Sequence, residues 1–313
     1  MVPMEIIGSN TRRILMNNKK IFIYTFYCFK TLKNLKTIKY ALENKYKAKD
    51  IFGTILISYE GINGTISGNK KKLEDFIKDL RTIIKIRKLS IKVSKNDFIP
   101  FNRFKIRIKK EIVTIGNKNV FPQKLTGKYI SPKNWDKIIN DENFLIIDTR
   151  NKYEIKIGSF YNAINPETKS FREFPKFINR KKIDKNQQIA MFCTGGIRCE
   201  KASSFLLMNG YKNIFQLEGG ILNYLEYKKN KQNITWKGEC FVFDKRVAVN
   251  RKLEKGKYVQ CYGCRTPLSK KDLNSEFYKK GVTCPHCYKI RTEKQIRSSK
   301  MRQNQIDGKK FKF

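Results

Sequence analysis

Ile21 to Phe29 is the longest nearly apolar run in the chain, and its β-branched and aromatic residues predict a buried strand. A helical pattern follows over about 31–46, then a strand over 51–58, a glycine-rich turn over 61–68, a helix over about 70–81 and a strand around 86–93. Phe104 to Ile108 alternates apolar with basic residues, as a half-buried strand should. The order β-α-β-β-α-β predicts a ferredoxin-like α+β domain over 21–110, its helices on one face of the sheet.

Periodicity fades over 111–130, where Gly116, Asn117, Pro122 and Gly127 suggest a linker. Ser131-Pro132-Lys133-Asn134-Trp135 then sets a cap and a proline at the first turn of a helix. Three short apolar strands follow: Phe144 to Ile147 ends in Asp148-Thr149-Arg150, Ile189 to Phe192 ends in Cys193, and Phe215 to Leu217 leads into Glu218-Gly219-Gly220. Strands with no polar alternation are buried on both faces, so helices between them predict a parallel-sheet α/β domain over 131–230. A site is expected at the carboxyl ends of such strands. Lys228 to Lys231 read as a solvated hinge, 236–290 as a small cysteine-bearing module, and 1–20 and 291–313 as a basic extension and a basic tail.

Charge adds a partner class. With 68 Lys+Arg against 27 Asp+Glu the formal charge is +41, a field that concentrates polyanions, nucleic acid first among them. Lys, Ile, Asn, Phe and Tyr are inflated together, so compositional drift on every solvated face is a competing source of that charge. Apolar content of 40% argues for a folded chain. No apolar run approaches the roughly 20 residues of a membrane-spanning helix, and no small-residue cleavage site follows the basic start. The expected compartment is the cytoplasm, with no membrane partner.

Cys193-Thr194-Gly195-Gly196-Ile197-Arg198 joins a buried strand to a predicted helix over 199–209. Gly195 and Gly196 let the backbone turn tightly with its N–H groups inward, and the helix amino terminus faces the same spot. Such surroundings lower a thiol pKa and stabilise an anion formed on it. A core cysteine would not require two glycines and an arginine beside it. Cys199, on the first helical turn, reads as packing rather than as a resolving thiol. Cys261-x-x-Cys264 and Cys284-x-x-Cys287, 19 residues apart, have the spacing of a four-thiolate zinc site. His286, the only histidine, lies inside the second pair as an exposed knuckle residue. A single histidine excludes a His-rich iron site, and Gly61, Gly64 and Gly68 lack the spacing of a dinucleotide-binding loop. Basic and aromatic residues alternate at Phe101, Arg103, Phe104, Lys105 and Arg107, and around Tyr258, Tyr262, Arg265, Tyr278, Lys279 and Lys280, as single-stranded RNA would need.

Residues 144–160, Ala163-Ile164-Asn165-Pro166 and the cysteine loop resemble a rhodanese domain. More narrowly, Glu60-Gly61-Ile62-Asn63-Gly64-Thr65-Ile66-Ser67-Gly68, Phe171-Arg172-Glu173-Phe174-Pro175 and the run Cys193 to Ala202 resemble the rhodanese-containing tRNA uridine hydroxylase family, over roughly residues 20–290. The resemblance implies oxygen-dependent 5-hydroxylation of the wobble uridine (position 34) in the tRNA anticodon, giving 5-hydroxyuridine. It implies molecular oxygen as co-substrate and the anticodon stem-loop as partner, and names no electron donor. Cys193 matches the rhodanese nucleophile and Arg198 the arginine closing its loop, with Gly195 and Gly196 between them. Asp148 and Arg150 read as a loop-bracing pair, and Arg172 as loop support or an RNA contact. A rhodanese-type sulfurtransferase working through a Cys193 persulfide fits the loop equally well, and a noncatalytic zinc-containing RNA-binding protein is the third reading.

Overall fold

The computed structural model of the chain describes residues 20–308, so nearly all of the extension expected over 1–20, and the last five residues of the expected tail, lie outside the described residues. The chain divides into two units, one running to Thr114 and the other starting at Ile115. The first holds β1 (Ile21–Phe29), α1 (Leu35–Tyr46), β2 (Phe52–Ser58), β3 (Gly61–Gly68), α2 (Lys70–Ile83), β4 (Ser90–Asn96) and β5 (Phe104–Ile108). Its sheet runs β4-β1-β3-β2-β5. The first four strands are antiparallel neighbours, the expected ferredoxin-like arrangement, and β5 adds in parallel to β2 at the edge. Leu42 of α1 and Leu73, Phe76 and Leu80 of α2 bury against Phe26, Ile55, Ile62 and Ile66 of the sheet. Asn69 caps α2 by accepting from the Lys71 N–H.

The glycine-rich stretch 61–68 is a strand rather than a turn. It pairs along its length with β1 on one side and β2 on the other. Its glycines answer crowding in the sheet, since a Cβ on Gly64 would meet the Phe26 ring at 2.8 Å and Ile55 at 3.1 Å. The last helix-crossed strand begins at Ser90 rather than near 86, because antiparallel pairing with β1 sets its register, Tyr27 opposite Ser90 and Ile21 opposite Asn96.

The second unit opens with β6 (Lys128–Ile130), α3 (Trp135–Ile139), β7 (Phe144–Asp148), α4 (Lys152–Ile155), β8 (Gly158–Phe160), α5 (Phe174–Lys181), β9 (Gln188–Phe192), α6 (Ile197–Met208), β10 (Asn213–Leu217) and α7 (Gly220–Lys228). Its sheet, β6-β10-β9-β7, is parallel throughout, as the unalternating apolar strands predict. Phe160 sits at the centre of an edge-on aromatic cluster, with Tyr224 at 4.7 Å, Phe192 at 4.8 Å, Trp236 at 5.1 Å and Trp135 at 5.8 Å between ring centroids. Losing the fully buried Trp135 side chain would cost about 3–5 kcal/mol.

Two expectations about connections change. The end of the expected linker over 111–130 is strand β6, tied to α6 where Tyr129 donates to Glu200 at 2.8 Å and the Gly127 N–H donates to Ser203 at 3.0 Å. Three residues are too few to show a period, so only the pairing with Phe215 to Leu217 reveals the strand. Lys228 is buried and its ammonium pairs with Asp136, so the expected solvated hinge begins one residue later.

Beyond α7 lie β11 (Trp236–Gly238), which pairs with β8, the hairpin β12 (Cys240–Phe241) and β13 (Ala248–Val249), then β14 (Val259–Gln260), β15 (Pro267–Leu268), α8 (Lys270–Leu273) and α9 (Glu293–Gly308). The stretch expected as a basic tail is therefore helical through Gly308. With almost no apolar face it docks by hydrogen bonds: Arg291 donates to the Val282 carbonyl at 2.5 Å and the Ser299 hydroxyl at 2.8 Å, and Arg302 to the Gly281 carbonyl at 2.9 Å. No helix among the described residues is long and apolar enough to cross a membrane.

Candidate active site

Strand β9 delivers Cys193 to its carboxyl end, where the chain must reverse into α6. Gly196 makes that reversal at φ 99°, a conformation that resists any L side chain, and its N–H donates to the Cys193 sulfur at 3.1 Å. The Arg198 and Cys199 N–H groups, at the first turn of α6, donate to the same sulfur. The loop carbonyls point the other way and meet the first turn of α7, where the Ile221 N–H donates to Cys193 at 2.9 Å and the Leu222 N–H to Thr194 at 3.1 Å. Only glycine fits at position 220, since a Cβ there would meet the Cys193 carbonyl oxygen at 2.4 Å. One helix thus satisfies the acceptors of the loop, leaving its donors free to converge on sulfur.

Charge then decides the state of the thiol. Burial alone would push Cys193 up, but a hydrogen bond from the Cys199 thiol, the charge of Arg198 and the two N–H groups outweigh it and bring Cys193 down to about 6. Burial and the neighbouring Cys193 sulfur push Cys199 well above the ordinary thiol value. Cys240, also buried, is pushed up to about 12 by its burial. Of these three cysteines only Cys193 is shifted toward the thiolate. The expectation for Cys199 needs amending: it is fully buried, as packing requires, yet its thiol donates to the reactive sulfur.

Arg198 is oriented by Glu154, its Nη1 lying 2.8 Å from Oε2 of that fully buried carboxylate. The other oxygen, Oε1, is buried without a hydrogen-bond partner. Asp148 and Arg150 form a fully buried pair at 2.6 Å. Ser159 donates to Asp148 at 2.8 Å and Arg150 donates to the Gly158 carbonyl at 2.6 Å, while its guanidinium lies 5.2 Å from the Trp236 ring centroid. This fixes the end of β7 beside the cysteine loop, where the Thr149 hydroxyl donates to the Phe192 carbonyl at 3.0 Å. Removing one member of either buried pair would cost about 3–5 kcal/mol.

Gly195 borders open space, nothing lying within 4 Å of where its Cβ would be. Arg172 is exposed on a single 3-10 turn over Phe171–Glu173, and no hydrogen bond or ion pair joins it to the cysteine loop. Sequence reasoning passes over Glu154, Gly220 and Phe243. No local pattern pairs Glu154 with Arg198, 44 residues on, or seats Gly220 under the cysteine loop. Nothing local marks Phe243, whose ring lies under the Arg198 guanidinium at 5.5 Å.

In the C-terminal part Cys261, Cys264, Cys284 and Cys287 bring their sulfurs within 4.8 Å of one another. Individual pairs stand at 3.7 Å (Cys264 to Cys284 and Cys284 to Cys287) and 4.0 Å (Cys261 to Cys287). Zinc–sulfur bonds of about 2.3 Å require tetrahedral corners about 3.8 Å apart, so the residues fit one zinc ion. Four thiolates leave no open position, which makes such an ion structural. The local core holds little beyond Leu268 and these cysteines, so the ion would supply much of the stability. His286 is not a ligand. It is exposed, as expected of a knuckle residue, and its Nε2 lies 2.8 Å from Asp272. In the first unit Lys105 is held below the usual lysine value by partial desolvation and by the like charges of Arg107, Arg103 and Lys39, the mark of a concentrated positive patch.

Residues 21–112 match a family described as the UPF0176 acylphosphatase-like domain, and residues 131–227 match the rhodanese-like domain family. Among solved structures the chain is similar to a rhodanese-related protein from Thermoplasma volcanium, at 26% identity over 32% of this chain and 92% of that one, with a TM-score of 0.27. It is similar to a rhodanese-like domain protein from Staphylococcus aureus at 26% identity, over 31% and 90% of the two chains, with a TM-score of 0.27. A single-domain sulfurtransferase from Saccharomyces cerevisiae is 19% identical over 33% and 91%, with a TM-score of 0.29. The rhodanese-domain match supports a catalytic function of sulfurtransferase type.

Proposed function

From the premise that this chain carries the two-domain architecture of the rhodanese-containing tRNA uridine hydroxylase family, an acylphosphatase-like domain ahead of a rhodanese-like one, we propose that it hydroxylates C5 of the wobble uridine in tRNA anticodons. The observation that carries the reading is a buried, donor-lined Cys193 thiolate in a chain with that domain pairing. Cys193 is the essential reactive group. Arg198 holds its negative charge, Gly195 and Gly196 shape the cradle, and Asp148 with Arg150 braces the adjoining strand end. Arg172, exposed, is available to RNA phosphate. Molecular oxygen is the co-substrate, one atom entering the C5–H bond and the other leaving as water with two electrons from a separate reductant. Zinc held by Cys261, Cys264, Cys284 and Cys287 would stiffen the C-terminal module. The +41 charge supports tRNA as the partner, and cysteines in metal-type spacing fit a reducing cytoplasm.

Nucleoside mass analysis of tRNA from cells lacking the protein should show loss of the hydroxyl mass on wobble uridines. Wild-type protein should restore it and Cys193→Ser should not. Full restoration by Cys193→Ser would sink the reading and favour a noncatalytic RNA-binding role.

A second reading has the more direct support, because the rhodanese-like domain match and the anion cradle both favour sulfur transfer. In it the Cys193 thiolate attacks the sulfane sulfur of thiosulfate, releasing sulfite and leaving a persulfide. A reductant then takes that sulfur as sulfide. Sulfide release abolished by Cys193→Ser, with wobble uridines unchanged in cells lacking the protein, would establish this activity in place of hydroxylation.

A further inference from the structure

Phe243 is 60% exposed, yet the turn that carries it is locked. Asp244 and Arg246 form a nearly buried pair at 2.6 Å within that turn. The Val242 N–H donates to the Val247 carbonyl at 2.9 Å, and the Val247 N–H to the Asp244 carbonyl at 3.0 Å. The Phe243 ring meets Phe241 edge-on, with centroids 5.1 Å apart. An exposed phenyl ring on a rigid turn keeps the cost of hydrating apolar surface without the gain of packing it away.

Its position suggests what that surface is for. The Thr194 hydroxyl, next to Cys193, donates to the Phe241 carbonyl at 3.4 Å, tying the hairpin to the cysteine loop. The Arg198 guanidinium lies over the Phe243 ring at 5.5 Å from its centroid. Arg198 is itself held by Glu154 at 2.8 Å, so the ring is fixed relative to the residue that charges the reactive sulfur. Space over the loop is open at Gly195. Phe243 thus offers a flat, oriented apolar face at the rim of the cysteine site, polarised by a cation.

We infer that Phe243, together with Arg198, is a stacking platform for a nucleobase of single-stranded RNA brought to Cys193. The inference rests on the RNA substrate proposed above and adds the residue that would hold the base. Stacking on an aromatic ring is available to every base through its π face, so it suits a base turned out of an anticodon loop. A purely structural hairpin residue would need neither the exposure nor the arginine. A small anionic sulfur donor would not use the ring, so the platform is a feature that sulfur transfer from thiosulfate leaves unexplained.

The test compares Phe243→Ala and Phe243→Trp in the full chain. Alanine should lower kcat/KM for tRNA hydroxylation about 10- to 100-fold, and tryptophan should stay within about 3-fold of wild type. Alkylation of Cys193 as a function of pH should stay close to wild type in both variants, because the Glu154 carboxylate still holds Arg198 when the ring is changed. The tryptophan variant adds a direct probe, because Trp135 and Trp236 are buried and contribute a constant background. Its added emission should be quenched by an anticodon stem-loop RNA, and not by the same RNA with an abasic wobble position. Wild-type hydroxylation by Phe243→Ala, or emission unmoved by the intact RNA, would overturn the inference. If the wild-type protein does not hydroxylate tRNA at all, the proposed function fails instead, and the quenching still decides whether a base stacks on residue 243.

Discussion

A thiol 2% exposed should resist ionisation, and that Cys193 is lowered to about 6 makes its charge the most sensitive property of the site. The thiolate persists at neutral pH and is lost as pH falls through about 6, so iodoacetamide alkylation of Cys193 should reach half its maximal rate near that pH. An unperturbed thiol would do so near pH 8.5. Arg198→Gln should shift the alkylation midpoint upward, because the arginine charge is among the causes of the lowering. The same change leaves Glu154 buried without its cation, and thermal unfolding should show a loss of about 3–5 kcal/mol. Alkylation with an unshifted midpoint would mean that the Cys199 thiol and the backbone donors hold the anion without the arginine. At this scale Cys193 and Arg198 were legible in the sequence because the two glycines between them have no packing rationale. Glu154 and Phe243 were not, because each matters through a partner far along the chain, 44 residues away for Glu154 and 45 for Phe243.

The cysteine loop works because two helix starts flank it, α6 donating to sulfur and α7 to the loop carbonyls. Gly220→Ala inserts a Cβ 2.4 Å from the Cys193 carbonyl oxygen, so the loop must shift. The expected result is slower Cys193 alkylation at neutral pH together with a lower melting temperature, as for other overpacked sites costing about 1–3 kcal/mol. The four-cysteine module has its own test. Purified protein should carry one zinc per chain, and stripping it with an organomercurial and chelator should open residues 256–308 to protease, because Arg291 and Arg302 clamp α9 onto loops next to the ligands. Cys284→Ser should do the same without chelator. The pairs at 261–264 and 284–287 were readable because two knuckles need a fixed local spacing. Helix α9 was hidden because it docks through guanidinium–carbonyl bonds, which leave no hydrophobic period.

For the whole molecule, +41 has two sources that composition cannot separate. Binding to tRNA measured from 50 to 200 mM salt separates them: about 6–10 phosphate contacts would weaken affinity by roughly 10³–10⁵, whereas charge spread by drift would give a shallow slope. The sequence alone determined the parallel sheet of the second unit, the helix-crossed sheet of the first, the cysteine loop between strand and helix, and the four metal-type thiols. All of these rest on local period or fixed spacing, which a chain carries without knowing its partners. Tertiary structure decided the rest. It made 61–68 a strand by giving it two neighbours, and it set Glu154 on Arg198 and Gly220 under the loop. It also left Phe243 exposed beside the thiolate. Those features depend on contacts between residues distant in sequence, where burial and the meeting of charges set the energy, and no local pattern records them.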